Sequence, residues 1–207
     1  MVDFSIYPIL DIDYINSIKK NYIKVLHDIL KSKIGLIQLR YKSGNYNDFL
    51  KKAKIIKKIC KKYKTILIIN DRIDIAKKIN ADGVHIGQDD LNPVKARKIL
   101  GVKKIIGYSV TNKREAKLAE KMPVDYIGLG PVFPTETKKA KTVPLQHIKS
   151  IIKNYNKPVI AIGGIKEYNI IKLKKIGLKN FAFISEICGA KDITKKIKKL
   201  KKIIKGV

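Results

Sequence analysis

Eight short apolar runs, each followed by a longer stretch whose apolar residues recur at helical spacing, set the main constraint on how this chain folds. The runs cover residues 5–10, 34–40, 65–70, 83–86, 104–109, 126–130, 158–162 and 180–184. The stretches between and after them cover 14–32, 47–62, 74–79, 93–100, 113–121, 145–154, 167–176 and 192–204. Runs so continuous in Ile, Leu and Val do not suit antiparallel strands with one face in water. They suit parallel strands buried on both faces beneath helices. Eight such βα units predict an α/β fold that closes into an eight-stranded parallel TIM (β/α)8 barrel, with a doubly wound open sheet as the main rival. At 207 residues the chain sits at the short end of the ~200 to 400 that such barrels span. No Gly/Ser-rich or Pro-rich linker divides it, so a single domain is expected over residues 1–207.

Composition narrows the classes further. At 45% hydrophobic residues, with 13 Gly and 7 Pro, the chain can bury a full core, which excludes global disorder and collagen-like repeats. Lys interrupts every apolar stretch well short of the ~20 residues a membrane-spanning helix needs. The opening MVDFSIYPIL lacks the basic and apolar regions of a signal peptide. Cys60 and Cys188 cannot make a disulfide scaffold, and two reduced thiols in a cytoplasmic protein are expected.

The net charge of +29 would ordinarily point to a polyanionic partner. Its chemistry points elsewhere. Only four of the 46 basic residues are Arg (Arg40, Arg72, Arg97, Arg114), the forked group best suited to base and phosphate recognition. The Lys residues fill the outward positions of segments such as KKAKIIKKICKKYK and ITKKIKKLKKIIK. A solvated lysine face is expected, with no nucleic-acid and no membrane partner.

In a barrel of this kind, chemistry sits where strands end and their following loops begin. Gln38, Arg40 and Lys42 alternate, so an extended backbone puts all three on one side, where an amide and two cations suit a phosphate or pyrophosphate. Asp71 and Asp90 end neighbouring strands. Two uses are open for them: capping the helices that follow, or holding Mg²⁺ against a pyrophosphate, with Asp89 competing for the second place. Gly163 and Gly164 after the seventh strand, and Ile184 and Ser185 after the eighth, occupy the usual phosphate site of such barrels, although a Gly pair is also a common turn. Thr135, Thr137 and Lys138 share one loop. His85 lies inside an apolar run and reads as a satisfied core histidine; His27 and His147 lie on predicted helices. The pattern suits an enzyme that joins or rearranges phosphorylated small molecules.

The motifs QLRYK, INDR with ADGVHIGQDDL, IIGYS, DYIGLGPVFPTETKK, AIGGI with Asn169 after it, and ISEI resemble, in order, those of the thiamine phosphate synthase family, whose members are TIM-barrel enzymes. The resemblance runs from about Tyr7 to about Asp192. It implies a transferase that condenses 4-amino-5-hydroxymethyl-2-methylpyrimidine diphosphate with a thiazole phosphate or its carboxylated form, giving thiamine monophosphate and pyrophosphate. In that family the pyrophosphate leaves first and the thiazole nitrogen captures the pyrimidine cation, so charge stabilisation matters more than a general base. By the same resemblance, Gln38, Leu39, Arg40, Tyr41, Lys42, Asn70, Ser109 and Lys138 hold the pyrimidine diphosphate, with Arg40, Lys42, Lys138 and Ser109 stabilising charge. Thr135, Glu136, Thr137, Gly164, Ile184 and Ser185 hold the thiazole phosphate. Asp71 and Asp90 hold one Mg²⁺ per subunit. Tyr41 and Gln146 depart from the family pattern, which often has an acidic residue at the first position and a Gly at the second; the second departure bears on where the local helix starts.

Two rivals stand beside this expectation. Thiazole tautomerases share the barrel and thiazole phosphate site without the full diphosphate and metal set. A non-enzymatic polyanion binder would follow from the charge alone and would lose affinity steeply with salt. A homo-oligomer is open in the sequence.

Overall fold

The computed structural model describes residues 2–135 and 141–206. Eight strands, β1 (Ile6–Asp11), β2 (Leu36–Arg40), β3 (Ile66–Asn70), β4 (Gly83–Ile86), β5 (Ile105–Val110), β6 (Tyr126–Leu129), β7 (Val159–Ala161) and β8 (Asn180–Phe183), pair in chain order. All pairs are parallel and β8 closes on β1, so the barrel is complete and the open-sheet rival is excluded. The helices are α1 (Ile12–Ser17), α2 (Tyr22–Lys31), α3 (Tyr46–Lys62), α4 (Ile73–Lys78), α5 (Pro93–Leu100), α6 (Lys113–Glu120), α7 (Leu145–Asn154), α8 (Ile170–Lys175), α9 (Ser185–Cys188) and α10 (Ile193–Lys205).

One expected helix is two. The stretch 14–32 breaks because Lys19 takes a left-handed φ of 53° and the Asn21 side chain accepts the N–H groups of Ile23 and Lys24, which starts α2 afresh. The short α9 was also not expected, and the helix anticipated from residue 167 begins at Ile170. The other helices start and stop within one residue of the sequence reading.

Strand side chains alternate between two cores. Outward residues such as Leu10, Ile37, Leu39, Leu67, Ile69, Val84 and Ile106 pack under the helices. Inward residues Tyr7, Ile9, Leu36, Ile68, Tyr126, Ile160 and Ala182 fill the barrel, with Phe4 below them. The helices complete the outer core as their pattern requires: α10 buries Ile193, Ile197 and Leu200 at i, i+4, i+7, and its lysines face outward. Cys60 and Cys188 are free and buried, and burial pushes both thiols up to about 12, which keeps them protonated and inert. No helix among the described residues is long and apolar enough to cross a membrane.

Candidate active site

A cavity of about 460 Å³ opens at the C-terminal ends of the strands. Gln38, Arg40, Lys42, Asn70, Asp71, Asp89, Asp90, Ser109, Thr135, Gly164, Ile184 and Ser185 line it, so most of the residues singled out from the sequence converge on one space. The period-2 geometry of β2 and the turn after it delivers Gln38, Arg40 and Lys42 to the same wall. Leu39 and Tyr41 are the corrected members: the Leu39 side chain is fully buried in the outer core, and the Tyr41 hydroxyl donates to Asp48, so neither side chain takes part in the wall.

The end of β2 is held by two aspartates that the sequence reading passed over. Asp11, at the end of β1 and 1% exposed, receives Arg40 Nη1 at 2.5 Å. Its other oxygen accepts the Tyr14 N–H at 3.1 Å and so caps α1. Asp13 accepts the backbone N–H of Lys42 at 2.8 Å and also receives the Ser43 hydroxyl. Arg40 is therefore fixed in direction by a buried carboxylate. Two of the other arginines serve elsewhere: Arg72 pairs with Asp74 at 2.6 Å, and Arg97 ties Asp125 and the carbonyls of Pro123 and Lys104.

Neither Asp71 nor Asp90 caps a helix. The residue before α4 is Arg72, with no capping side chain, and α5 is capped by Asn92, which accepts the Val94 N–H at 2.8 Å. Asp71 takes a left-handed φ of 61°, an uncommon conformation that aims its carboxyl along the cavity rim, where it forms an ion pair with Lys42. Asp90 accepts the Gly87 N–H at 2.6 Å. Burial, together with a hydrogen bond to Asp71, holds the Asp90 carboxyl above the usual carboxylate range. Two carboxyls this close, with a lysine already drawn to one of them, form a hard oxygen donor set that a divalent cation fits. Asp89 reaches the cavity wall as well.

On the opposite side, Gly163 and Gly164 take φ of 94° and 63°. A Cβ at Gly164 would lie 2.3 Å from the Pro134 carbonyl oxygen, so the glycine is required for the loop after β6 to lie against the loop after β7. Asn169 Nδ2 donates to the Gly164 carbonyl at 2.9 Å. Lys166, absent from the sequence reading, donates to Ser185 Oγ at 3.0 Å and brings a cation to this side of the cavity.

The floor holds the residues that sequence reasoning missed most completely. Tyr7 and Tyr126 line the cavity alongside His85, and all three point inward. His85 stacks on Tyr126 with ring centroids 5.5 Å apart and is bonded to Tyr126 Oη at 3.0 Å and Ser109 Oγ at 2.9 Å. It is a satisfied histidine, as expected, but it faces the cavity. Burial pushes its imidazole down from 6.5 to about 4, so it is neutral at ordinary pH.

That shift has a consequence for stability. The unfolded imidazole binds a proton more readily than the folded one, so the stabilisation is fully present above pH 6.5 and is lost as pH falls from there towards 4. Allowing for the ring's access to the cavity, about 2 kcal/mol is expected from this group. Urea midpoints between pH 7 and 4 should therefore fall more steeply for the wild type than for His85→Gln; parallel curves would contradict the assignment.

The sequence pattern described as thiamine monophosphate synthase matches residues 6–187. The chain belongs to this family. A thiamine-phosphate synthase of Pelotomaculum thermopropionicum is 38% identical over 206 residues, covering 99% of this chain and 94% of that protein. One from Prochlorococcus marinus strain AS9601 is 44% identical over 183 residues; the match takes in 88% of this chain, and the chain spans about half the length of that relative (52%). Among solved structures, thiamine phosphate pyrophosphorylase from Pyrococcus furiosus superposes with a TM-score of 0.87 at 31% identity, covering 98% of this chain and 96% of that one.

The two positions expected from the resemblance to depart from the family pattern have structural answers. Tyr41 turns away from the cavity: its hydroxyl donates to Asp48 at 2.7 Å and its ring packs edge-on against Phe49. Gln146 leaves the start of α7 at Leu145, where the periodicity placed it. Glu136, Thr137 and Lys138 lie outside the described residues.

Proposed function

We propose that this member of the thiamine monophosphate synthase family condenses 4-amino-5-hydroxymethyl-2-methylpyrimidine diphosphate with a thiazole phosphate or its carboxylated form, releasing pyrophosphate and giving thiamine monophosphate. The observation that carries this reading is the convergence of Gln38, Arg40, Lys42, Asn70, Asp71, Asp90 and Ser109 on one cavity. Loss of pyrophosphate before capture of the pyrimidine cation places negative charge on the leaving group. Arg40, held in direction by Asp11, meets that charge without reorganising, and Lys42, beside Asp71, adds a second cation. Lys138 is proposed to join them. Ser109 is proposed to contact the same substrate, while Thr135, Glu136, Thr137, Gly164, Ile184 and Ser185 hold the thiazole phosphate.

Asp71 and Asp90 would hold one Mg²⁺, which when bound neutralises diphosphate charge and orients the leaving group. The donor chemistry described above fits that ion. A tautomerase would leave this carboxylate pair without a task.

The test is a coupled assay with both substrates, with and without Mg²⁺, reading thiamine monophosphate and pyrophosphate together. Formation of both products in a Mg²⁺-dependent manner is expected. No product from well-folded protein at any Mg²⁺ concentration would end the proposal. In the same assay, Asp71→Asn combined with Asp90→Asn should lower kcat/KM on the order of 10²-fold, with the Mg²⁺ dependence flattened. Product formation unchanged by the double substitution would remove the pair from the metal role.

A further inference from the structure

Five side chains form a continuous hydrogen-bonded chain across the barrel beneath the cavity. Gln38 Nε2 lies 3.1 Å from Tyr7 Oη, which lies 2.8 Å from Tyr126 Oη. Tyr126 Oη lies 3.0 Å from His85 Nδ1, and His85 Nε2 lies 2.9 Å from Ser109 Oγ. The two ends, Gln38 and Ser109, both line the cavity.

The proton count restricts this chain. Four bonds need four protons, and the three interior groups, two phenols and a neutral imidazole, carry three. The fourth comes from one end only. If both ends donate inward, one interior proton is left without a partner in a place where an unpaired polar group is costly. Two arrangements remain. In one, every bond points from Gln38 towards Ser109, so the glutamine shows its carbonyl to the cavity and the serine shows its proton. In the other, every bond is reversed. The amide orientation, with nitrogen on Tyr7, corresponds to the first. Burial keeps His85 neutral, the condition on which the count depends.

We propose that this chain couples the hydrogen-bonding character of Gln38 to that of Ser109, one accepting when the other donates, and that the coupling selects an aminopyrimidine over its oxo counterpart. The ligand's identity rests on the proposed function; the coupling does not. An aminopyrimidine has an N–H donor beside an acceptor ring nitrogen, and its oxo counterpart has the reverse. Accommodating the second requires all five groups to turn together, so Tyr7, Tyr126 and His85 act as positioning residues for the two that touch substrate.

Nitrogen-15 spectra of histidine-labelled full-length protein test the coupling without any assay of activity. At neutral pH the His85 ring should be a single neutral tautomer with its proton on Nε2. In Gln38→Glu, the introduced group can only accept once ionised. Raising the pH through that ionisation should therefore move the His85 proton from Nε2 to Nδ1. Adding Tyr126→Phe, which breaks the chain in the middle, should abolish the movement. A His85 tautomer indifferent to the titration, or a switch that survives Tyr126→Phe, overturns the coupling. The selective role has its own readout: Tyr126→Phe alone should shrink the kcat/KM preference for the amino over the oxo pyrimidine diphosphate by about tenfold, and an unchanged preference overturns that role. A wild type inactive with both substrates would refute the proposed function, while the nitrogen spectra would still decide the coupling.

Discussion

Arg40→Ala is expected to lower stability by about 3–5 kcal/mol and kcat/KM on the order of 10²- to 10³-fold. The two losses have different origins. Asp11 is 1% exposed, and its partner at 2.5 Å is the Arg40 guanidinium. Deleting the guanidinium leaves a buried carboxylate with only the Tyr14 N–H, and an uncompensated buried charge is among the costliest results of a single substitution. Under the proposed reaction, the kinetic loss arises because a cation that would meet the departing pyrophosphate is gone. Arg40→Lys separates the two. A lysine ammonium restores much of the stability by pairing with Asp11 but cannot reproduce a planar fork that meets Asp11 and an anion together, so kcat/KM should recover less than stability does. Urea denaturation and steady-state kinetics on both variants check this. Wild-type stability in Arg40→Ala would show that Asp11 does not need the cation.

The barrel was legible because each of its eight βα units carries its own signal. Continuous apolar runs and helical periodicity are local properties, and even strand β4 and helices α5 and α7 fall at the residues the pattern indicates. The break between α1 and α2 was hidden because Asn21 reads as one polar residue in an amphipathic run. Only its side-chain bonds to Ile23 and Lys24 make it a start signal.

The rim of the site was legible for the same reason: Gln38, Arg40, Asp71 and Asp90 are polar residues at strand ends. What stayed hidden lies one layer deeper or one strand earlier. Tyr7, His85 and Tyr126 sit inside apolar runs, where aromatic rings pass as core. Their polar atoms count only when the closed barrel brings β1, β4 and β6 together. Asp11 escapes because the apolar run that marks the first strand stops at Leu10. Its signal was present in the Asp11-Ile12-Asp13 alternation, which sends one carboxylate to Arg40 and the other to the Lys42 backbone. The lysines went the opposite way. Most lie on helix exteriors, and Lys42, the one lysine among the described residues that lines the cavity, is marked by its place after β2 and not by its charge.

Gly107→Ala tests whether the floor is as tightly built as the geometry indicates. In the barrel register Gly107 lies beside His85 on one side and Tyr126 on the other, so the three share a layer. A Cβ at Gly107 would stand 2.1 Å from Tyr126 Cζ and 2.5 Å from His85 Nδ1, distances no relaxed contact allows. Tyr126 cannot simply retreat. It is fully buried, packs against Phe4 at 4.9 Å between ring centroids, and is bonded to Tyr7 and His85. Overpacking alone costs about 1–3 kcal/mol. Displacing the ring also breaks its hydrogen bonds to Tyr7, which is buried, and to His85, which is part-buried, each worth about 1 kcal/mol. A total of about 3–5 kcal/mol is expected from the two terms together, read as a lower urea midpoint. Gly35→Ala is the control: a Cβ there meets nothing within 4 Å, so stability should stay within about 0.5 kcal/mol. If Gly107→Ala were as harmless as Gly35→Ala, the Tyr126–His85 layer would have room to spare. The hydrogen-bonded chain through it would then lack the rigidity needed to pass an orientation from Gln38 to Ser109.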